Sequence, residues 1–253
     1  MTIYVINAKR GEHRPAIVHT HGGGFVAGSA KSAIGNLQMT AQANDCTIIT
    51  VEYRLAPETR YAGSIEDNYC ALLWVYRNAA ELGIDPSRIA VMGESAGGGH
   101  AALLALTARD RGEVPLVLQM LTYPMLDDRT GSTVPVPPHI GNFIWKPADN
   151  RYGWASFLGQ KPGGRGVPRP AVPARIDNLA GLPPTFIGVG ALDLFANEDI
   201  EYARRLDQAG VPTELHLFPG VYHNFDNQPF LSAFRSFTAL KNTALQKAFS
   251  PPT

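Results

Sequence analysis

Apolar runs alternate with segments of helical periodicity along most of the chain. Short runs rich in β-branched and apolar residues predict strands, and apolar positions three and four residues apart predict helices. The expected strands are 3–6, 16–20, 47–53, 89–93, 116–123, 185–190 and 213–218, and the expected helices are 64–80, 96–109, 198–209 and 230–248. Because strands joined through helices build a mostly parallel sheet, the pattern predicts an α/β fold.

Local signals indicate where some of these elements begin and end. A polar turn at 9–12 joins the first two strands. Ser64 followed three residues later by Asp67 is a variant of the capping box, so a helix is expected to begin at Ser64. Gly83 is expected to end that helical region.

The alternation of strand and helix patterns is interrupted between Pro124 and Pro173, where nine of the twenty prolines fall. An irregular stretch of this length in a compact domain is usually functional or mobile. We interpret about 126–173 as an insertion above the sheet, with a short helix near 150–157. The whole chain, 1–253, is then expected to be a single catalytic domain.

Composition narrows the class of ligand. The 253 residues are 45% hydrophobic, which is enough for a large buried core and excludes a disordered chain. Lys and Arg together number 22, and so do Asp and Glu, so the net basic footprint that binds nucleic acid or an anionic membrane surface is missing. We therefore expect a small-molecule ligand and no nucleic acid partner.

Cysteine usage and hydropathy bear on the compartment. Cys46 and Cys70 lie in apolar runs and have no metal-ligand spacing, so reduced core thiols of a cytoplasmic protein are expected. No apolar run approaches the length of about 18 residues that spans a membrane. The first residues also lack the charged start of a signal peptide, so neither a membrane span nor a secretory signal is expected.

The strongest chemical signal is a G-x-S-x-G sequence at 93–98, GESAGG, between a predicted strand and a predicted helix. Such a turn holds its serine in strained backbone angles, and the glycines let strand and helix approach each other. The free N–H groups at the start of the helix, from Ala96 on, would stabilise negative charge near the serine oxygen. The context indicates that Ser95 is a nucleophile, whereas the spacing alone also fits an ordinary strand–helix junction.

A serine hydroxyl needs a base to take its proton and a carboxylate to orient that base. In the α/β-hydrolase order both residues follow the serine along the chain, each after a later strand. Asp193 follows the strand 185–190, and His223 follows the strand 213–218. We therefore favour Asp193 as the orienting carboxylate and His223 as the base.

Other residues compete for these two roles. Asp127 and Asp128 follow an earlier strand end and are the main alternatives to Asp193, while Asp226 lies close to His223 in sequence. Carboxylates in the first turn of a helix are common for dipole reasons alone. The residues that we expect to be structural are Glu198, Asp199, His13, His100, His139 and His216.

A third motif, His21-Gly22-Gly23-Gly24, directly follows the strand 16–20. Consecutive glycines allow backbone N–H groups to turn into a site, and two of them with the N–H of Ala96 would bind the oxyanion of a tetrahedral intermediate. A zinc site at His19-x-His21 lacks further ligands nearby. A phosphate loop would need a following Gly-Lys-Ser/Thr, which is missing. We expect neither a metal nor a cofactor.

In these motifs the chain resembles the hormone-sensitive-lipase-like, or bacterial family IV, esterases of the α/β-hydrolase superfamily. The resemblance covers most of the chain and rests on the segments 21–24, 53–58, 93–98 and 223–225 together with Asp193. It implies an α/β-hydrolase fold, no cofactor, and hydrolysis of short-chain carboxylic esters through an acyl-enzyme. By position it implies these roles: nucleophile Ser95, general acid/base His223, orienting carboxylate Asp193, oxyanion donors Gly23, Gly24 and Ala96, and a structural His21.

One departure from the family concerns the start of the chain. Members usually carry several dozen residues of cap before the glycine motif, whereas twenty precede His21 here. We therefore expect the N-terminal cap to be largely absent and the site to be more open. An incomplete sheet also leaves an edge to cover, so a homodimer is expected.

Two alternative functions share the same fold. The same serine machinery could cleave amides or remove acetyl groups. A non-catalytic small-molecule receptor is the other alternative, and the presence of His223 counts against it.

Overall fold

The computed structural model describes residues 1–250 and contains one continuous seven-stranded sheet. The strands are β1 (Thr2–Ile6), β2 (Arg14–Thr20), β3 (Thr47–Glu52), β4 (Ile84–Glu94), β5 (Leu118–Thr122), β6 (Thr185–Gly190) and β7 (Thr213–Phe218). The helices are α1 (Ala30–Ala43), α2 (Tyr61–Arg77), α3 (Ala79–Leu82), α4 (Ala96–Arg111), α5 (Pro147–Leu158), α6 (Ala196–Gln208) and α7 (Ser232–Phe249). Each predicted strand is present, and β6 and β7 have the predicted bounds.

The strand order is β1-β3-β2-β4-β5-β6-β7, and every pair is parallel except β1 with β3. Although a short turn joins β1 to β2, the two strands are not neighbours, because β3 lies between them. β4 is the central strand of the seven. The carboxyl ends of β4, β6 and β7 therefore lie at one edge of the sheet, where the segments that carry the predicted catalytic residues begin.

The sheet is buried on both faces because successive strand residues point to opposite sides. Val18 and Ile49 pack in the core beneath α2 and α4, while their neighbours Ile17 and Ile48 pack in the core beneath α1 and α7. Strands covered on both faces read as continuous apolar runs, which is the pattern seen in this sequence. Within residues 1–250, no helix combines the length and the hydropathy that crossing a bilayer demands.

The predicted start of the second helix is wrong. The structure begins α2 at Tyr61, so Ser64 lies inside the helix and its hydroxyl donates to the carbonyl of Tyr61 at 3.3 Å. The carboxylate of Asp67 instead accepts two hydrogen bonds of 2.8 Å from the guanidinium of Arg54. A carboxylate engaged by an arginine on the preceding segment cannot act in a capping box. Gly83 ends α3, as predicted.

Two further expectations need correction. Cys46 is buried, but Cys70 is exposed, because it falls on the solvent side of α2 between residues that face the core. Helix α1 was also not predicted, although its buried residues Ala30, Leu37 and Ala41 recur at helical spacing. Its start carries a clear local signal, since the side chain of Ser29 accepts a hydrogen bond from the N–H of Ser32 at 3.2 Å. In the insertion, the predicted short helix is present as α5.

The close approach of α4 to β2 yields a stability prediction. A Cβ at Gly97 would lie 2.1 Å from the carbonyl oxygen of Thr20. Gly97→Ala should therefore lower the free energy of unfolding by about 2 kcal/mol or more, because two backbone segments would have to separate. A Cβ at Gly35, within α1, meets no atom within 4 Å, so Gly35→Ala is the matched control. It should stabilise the protein by up to about 1 kcal/mol.

Urea unfolding of the two variants and the wild type measures both effects. Equal stability of Gly97→Ala and the wild type would contradict the tight packing of α4 against β2.

Candidate active site

Ser95 occupies the turn between β4 and α4 in a conformation rare for a residue with a side chain. Its φ is 57° and its ψ is −123°. Neighbouring backbone holds the turn, because the N–H of Ser95 donates to Thr122 at 3.0 Å and its carbonyl accepts from the N–H of Met125 at 2.9 Å. Strain of this kind persists only where surrounding structure imposes it, and it is common at functional sites. The turn places the hydroxyl in front of the first free N–H groups of α4.

The structure brings Ser95, His223 and Asp193 together in one chain of hydrogen bonds. The His223 Nε2 atom lies 3.0 Å from Ser95 Oγ, and His223 Nδ1 lies 2.8 Å from Asp193 Oδ2. All three residues are buried. The other carboxylate oxygen of Asp193 accepts from the N–H of Phe195 at 3.0 Å, which fixes its orientation. Because Asp193 accepts the proton on Nδ1, Nε2 is left to accept the serine hydroxyl.

The competing carboxylates have other partners. Asp127 forms an ion pair with Arg129 at 2.8 Å. Asp128 forms one with Arg175 at 2.6 Å. Burial, followed by the charge of Asp127, raises the pKa of Glu198 well above its usual value. Asp226 accepts a hydrogen bond from the hydroxyl of Tyr123. None of these carboxylates is hydrogen-bonded to His223, so the geometry favours Asp193 among the candidates.

The glycine motif runs directly beside Ser95. A Cβ at Gly22 would lie 3.5 Å from the Cβ of Ser95, and Gly23 adopts a φ of 129°. Within residues 1–250, no protein acceptor lies within hydrogen-bond distance of the amide groups of Gly23 and Gly24. Together with the N–H of Ala96, at the first position of α4, these donors are free to bind an oxyanion beside Ser95.

His21 braces this loop and makes no contact with the reacting atoms. Its Nδ1 atom lies 2.8 Å from the carbonyl oxygen of Gly22, and its ring stacks on Tyr53 with centroids 4.2 Å apart. The hydroxyl of Tyr53 donates to the carbonyl of His21 at 2.5 Å. Burial lowers the pKa of His21, although the hydrogen bond to Gly22 opposes this, so the ring is neutral near pH 7.

The sequence did not predict the contacts of Glu94, the residue before Ser95. Glu94 Oε2 lies 2.9 Å from His19 Nε2, and His19 Nδ1 lies 2.9 Å from the hydroxyl of Thr50. Burial opposes ionisation of Glu94, but the charge and hydrogen bond of His19 outweigh it, so the pKa of Glu94 is lowered. This chain of contacts ties the nucleophile turn to β2 and β3. The two histidines of the His19-x-His21 pair therefore have separate structural partners.

A cavity of about 630 Å³ opens onto Ser95. The glycine motif and His223 line it beside Ser95, and Trp145 of the insertion and residues of α1 and α7 also line it. Its polar groups include Glu94, Asp226 and Lys241. Within residues 1–250, the His, Cys, Asp and Glu side chains form no group of three or more suited to holding a metal ion.

A strained serine after the central parallel strand, with a histidine and a carboxylate from later strand ends, defines the protein as an α/β hydrolase. The family model described as alpha/beta hydrolase fold matches residues 17–227. The chain belongs to this family, in its hormone-sensitive-lipase-like branch.

Named relatives agree with this assignment. Esterase LipI of Mycobacterium tuberculosis is 37% identical over 215 residues, which are 83% of this chain and 65% of LipI. Carboxylesterase NlhH of the same species is 38% identical over 222 residues, which are 85% of this chain and 68% of NlhH. The chain therefore spans about two thirds of the length of these relatives. The solved structure titled "Bacterial Heroin Esterase" superposes with a TM-score of 0.90 at 40% identity and covers 96% of this chain and 77% of that one.

Spectroscopy can test which of two acids, Asp193 or Asp226, accepts the ring N–H of His223. A ring N–H donated to a carboxylate gives a proton resonance far downfield of the backbone amides, because the charge-assisted hydrogen bond deshields it. We expect such a resonance in the wild type and in Asp226→Ala, but not in Asp193→Ala. Proton NMR measures all three. Loss of the signal in Asp226→Ala with retention in Asp193→Ala would reverse the assignment.

Proposed function

We propose that the protein is a carboxylic ester hydrolase that acts through an acyl-enzyme on Ser95. The observation that carries the proposal is the hydrogen-bonded chain from Ser95 through His223 to Asp193, at 3.0 and 2.8 Å, at the end of a substrate-sized cavity. The family assignment and the esterase names of the relatives support it. Residues 1–253 would form one catalytic domain with an insertion at about 126–173.

Acylation begins when the hydroxyl of Ser95 attacks the ester carbonyl. His223 Nε2 takes the hydroxyl proton as the Oγ–C bond forms, and Asp193 stabilises the resulting imidazolium. The carbonyl π electrons move onto its oxygen to give a tetrahedral intermediate. The intermediate collapses as the bond to the alcohol oxygen breaks, and His223 returns its proton to the leaving alcohol.

The developing oxyanion is the charge that the glycine motif would stabilise. The amides of Gly23, Gly24 and Ala96 are preorganised donors, so they would bind the charge without rearrangement. Loss of one such donor typically costs about 10²–10³ in rate.

Deacylation repeats the same chemistry with water. His223 removes a proton from a water molecule, whose oxygen attacks the acyl carbon, and the Ser95 oxygen then leaves and regains its proton. The products are a carboxylic acid and an alcohol, with the enzyme unchanged.

The dimensions of the cavity support small soluble esters as substrates. A volume of about 630 Å³ lies in the range of sites for small organic molecules. A long triglyceride would extend far beyond it. We therefore infer a preference for short acyl chains.

Two further properties belong to this proposal. The edge strand β7 pairs with β6 alone in the sheet, which supports a homodimer built on an unpaired strand edge. Cys46 and Cys70 are both free thiols, which supports a reducing, cytoplasmic compartment.

Removal of the nucleophile tests the proposal. Ser95→Ala should lower kcat/KM for p-nitrophenyl acetate by at least about 10³-fold, because no acyl-enzyme can form. The matched control is Ser64→Ala in α2, whose hydroxyl bonds, among residues 1–250, only to the carbonyl of Tyr61, and it should retain wild-type activity.

Offering the corresponding amide beside the ester separates the alternatives. Faster cleavage of the amide would favour an amidase or deacetylase. Full esterase activity in Ser95→Ala would contradict the proposed nucleophile, and no cleavage of either compound by the wild type would favour the receptor.

A further inference from the structure

The loop that carries the catalytic histidine is held to the sheet by a hydrogen bond from outside the loop. His223 stands between β7 and α7, and a 3₁₀ turn, Phe225–Asn227, follows it at once. Asp226 in this turn accepts a hydrogen bond from the hydroxyl of Tyr123, which lies directly after β5. The bond therefore joins the histidine loop to the middle of the sheet.

The ring of Tyr123 also contacts the catalytic imidazole. The Tyr123 and His223 ring centroids are 4.5 Å apart and their planes are tilted by 58°. Phe195 contacts the imidazole as well, with centroids 5.4 Å apart. Tyr123 is itself well fixed, because it is buried and its N–H donates to the carbonyl of Gly188 at 2.8 Å. The imidazole thus packs against two buried aromatic rings.

Resting on the proposed function, we propose that Tyr123 and Asp226 are a positioning pair that holds His223 in register with Ser95. The hydroxyl of Tyr123 fixes the loop through Asp226, and the ring of Tyr123 limits rotation of the imidazole. Neither residue is hydrogen-bonded to Ser95 or His223. Both therefore affect the reaction by fixing the position of the histidine.

The charge environment of Asp226 makes the pair sensitive to pH. The groups that bear on it come from four segments: Glu94 at the end of β4, Tyr123 after β5, His223 on the loop and Lys241 on α7. Burial, followed by the charge of Glu94, raises the pKa of Asp226 to about 6, against the opposing effects of Tyr123, Lys241 and His223. The carboxyl group is therefore ionised at pH 8 and largely protonated at pH 5.

Ionisation of Asp226 has two favourable effects. A hydroxyl donates a stronger hydrogen bond to a carboxylate than to a neutral carboxyl group. A negative charge on Asp226 also favours the imidazolium that His223 becomes during each proton transfer. Protonation of Asp226 removes both contributions.

The first test removes the hydroxyl and keeps the ring. Tyr123→Phe should lower kcat for p-nitrophenyl acetate about tenfold, corresponding to about 1.4 kcal/mol in the barrier, with KM within about twofold of the wild type. The matched control is Tyr202→Phe, since Tyr202 is also buried but its hydroxyl has no partner within residues 1–250. This control should retain wild-type kcat.

The second test removes the charge and keeps an acceptor oxygen. The ratio of wild-type kcat to that of Asp226→Asn should be about five or more at pH 8 and should fall toward one at pH 5, where the wild-type carboxyl is protonated. A merely structural role would give a ratio that does not change with pH.

Thermal melts distinguish loss of positioning from loss of folding. A carboxyl group with a raised folded-state pKa binds more protons when folded than when unfolded, so its ionised form destabilises the native protein above pH 6. Asp226→Asn should therefore melt at the same temperature as the wild type or higher at pH 8, while its kcat is lower.

The outcomes separate this proposal from the proposed function. Wild-type kcat in both Tyr123→Phe and Asp226→Asn would overturn the positioning pair and leave the esterase assignment intact, and so would an Asp226→Asn ratio that is constant from pH 5 to 8. If the wild type itself hydrolyses neither ester nor amide, both proposals are wrong.

Discussion

The strained turn at Ser95 is the constraint on which the rest of the site depends. A serine at φ 57° exists only because β4, α4 and the carbonyl of Thr122 hold it there, and each of these is fixed by packing on both faces of the sheet. Once the turn is set, the positions of His223 and Asp193 follow from the parallel order of β6 and β7 at the same edge. The glycine motif after β2 completes the arrangement because β2 is the direct neighbour of β4.

The carboxyl groups in and beside the site are the second feature that shapes its chemistry. Asp193 and Glu94 are ionisable groups held among packed side chains, and each has a histidine as its hydrogen-bond partner. Burial and the nearby charge of Glu94 raise the pKa of Asp226 to about 6, against the opposing effect of the hydrogen bond from Tyr123. Glu94 and Asp226, which line the same cavity, therefore differ in the direction of their pKa shifts: His19 outweighs burial and lowers the pKa of Glu94, whereas burial raises that of Asp226.

The sequence predicted the α/β class, every strand and the three side chains of Ser95, His223 and Asp193 that the structure brings together, because chain order and strand ends determine their positions. It failed where a distant partner decides the outcome. Asp67 is hydrogen-bonded to Arg54 and so does not form the expected capping box with Ser64. Contacts such as His19 with Glu94, 75 residues apart, and Tyr123 with Asp226, 103 residues apart, leave no local pattern. Helix α1 was missed although its signal is local, since Ser29 caps it and the buried Ala30, Leu37 and Ala41 recur at helical spacing.

The central claim is that Ser95 carries the acyl group, and rapid-quench mass spectrometry tests it most directly. Wild-type protein mixed with p-nitrophenyl acetate and quenched in acid before turnover is complete should carry one acetyl group on the tryptic peptide that contains Ser95. The acetyl group should be absent from the same peptide of His223→Ala, which lacks the base. Acetylation at another residue, or turnover of the ester with no acetylated peptide at any time, would contradict the account.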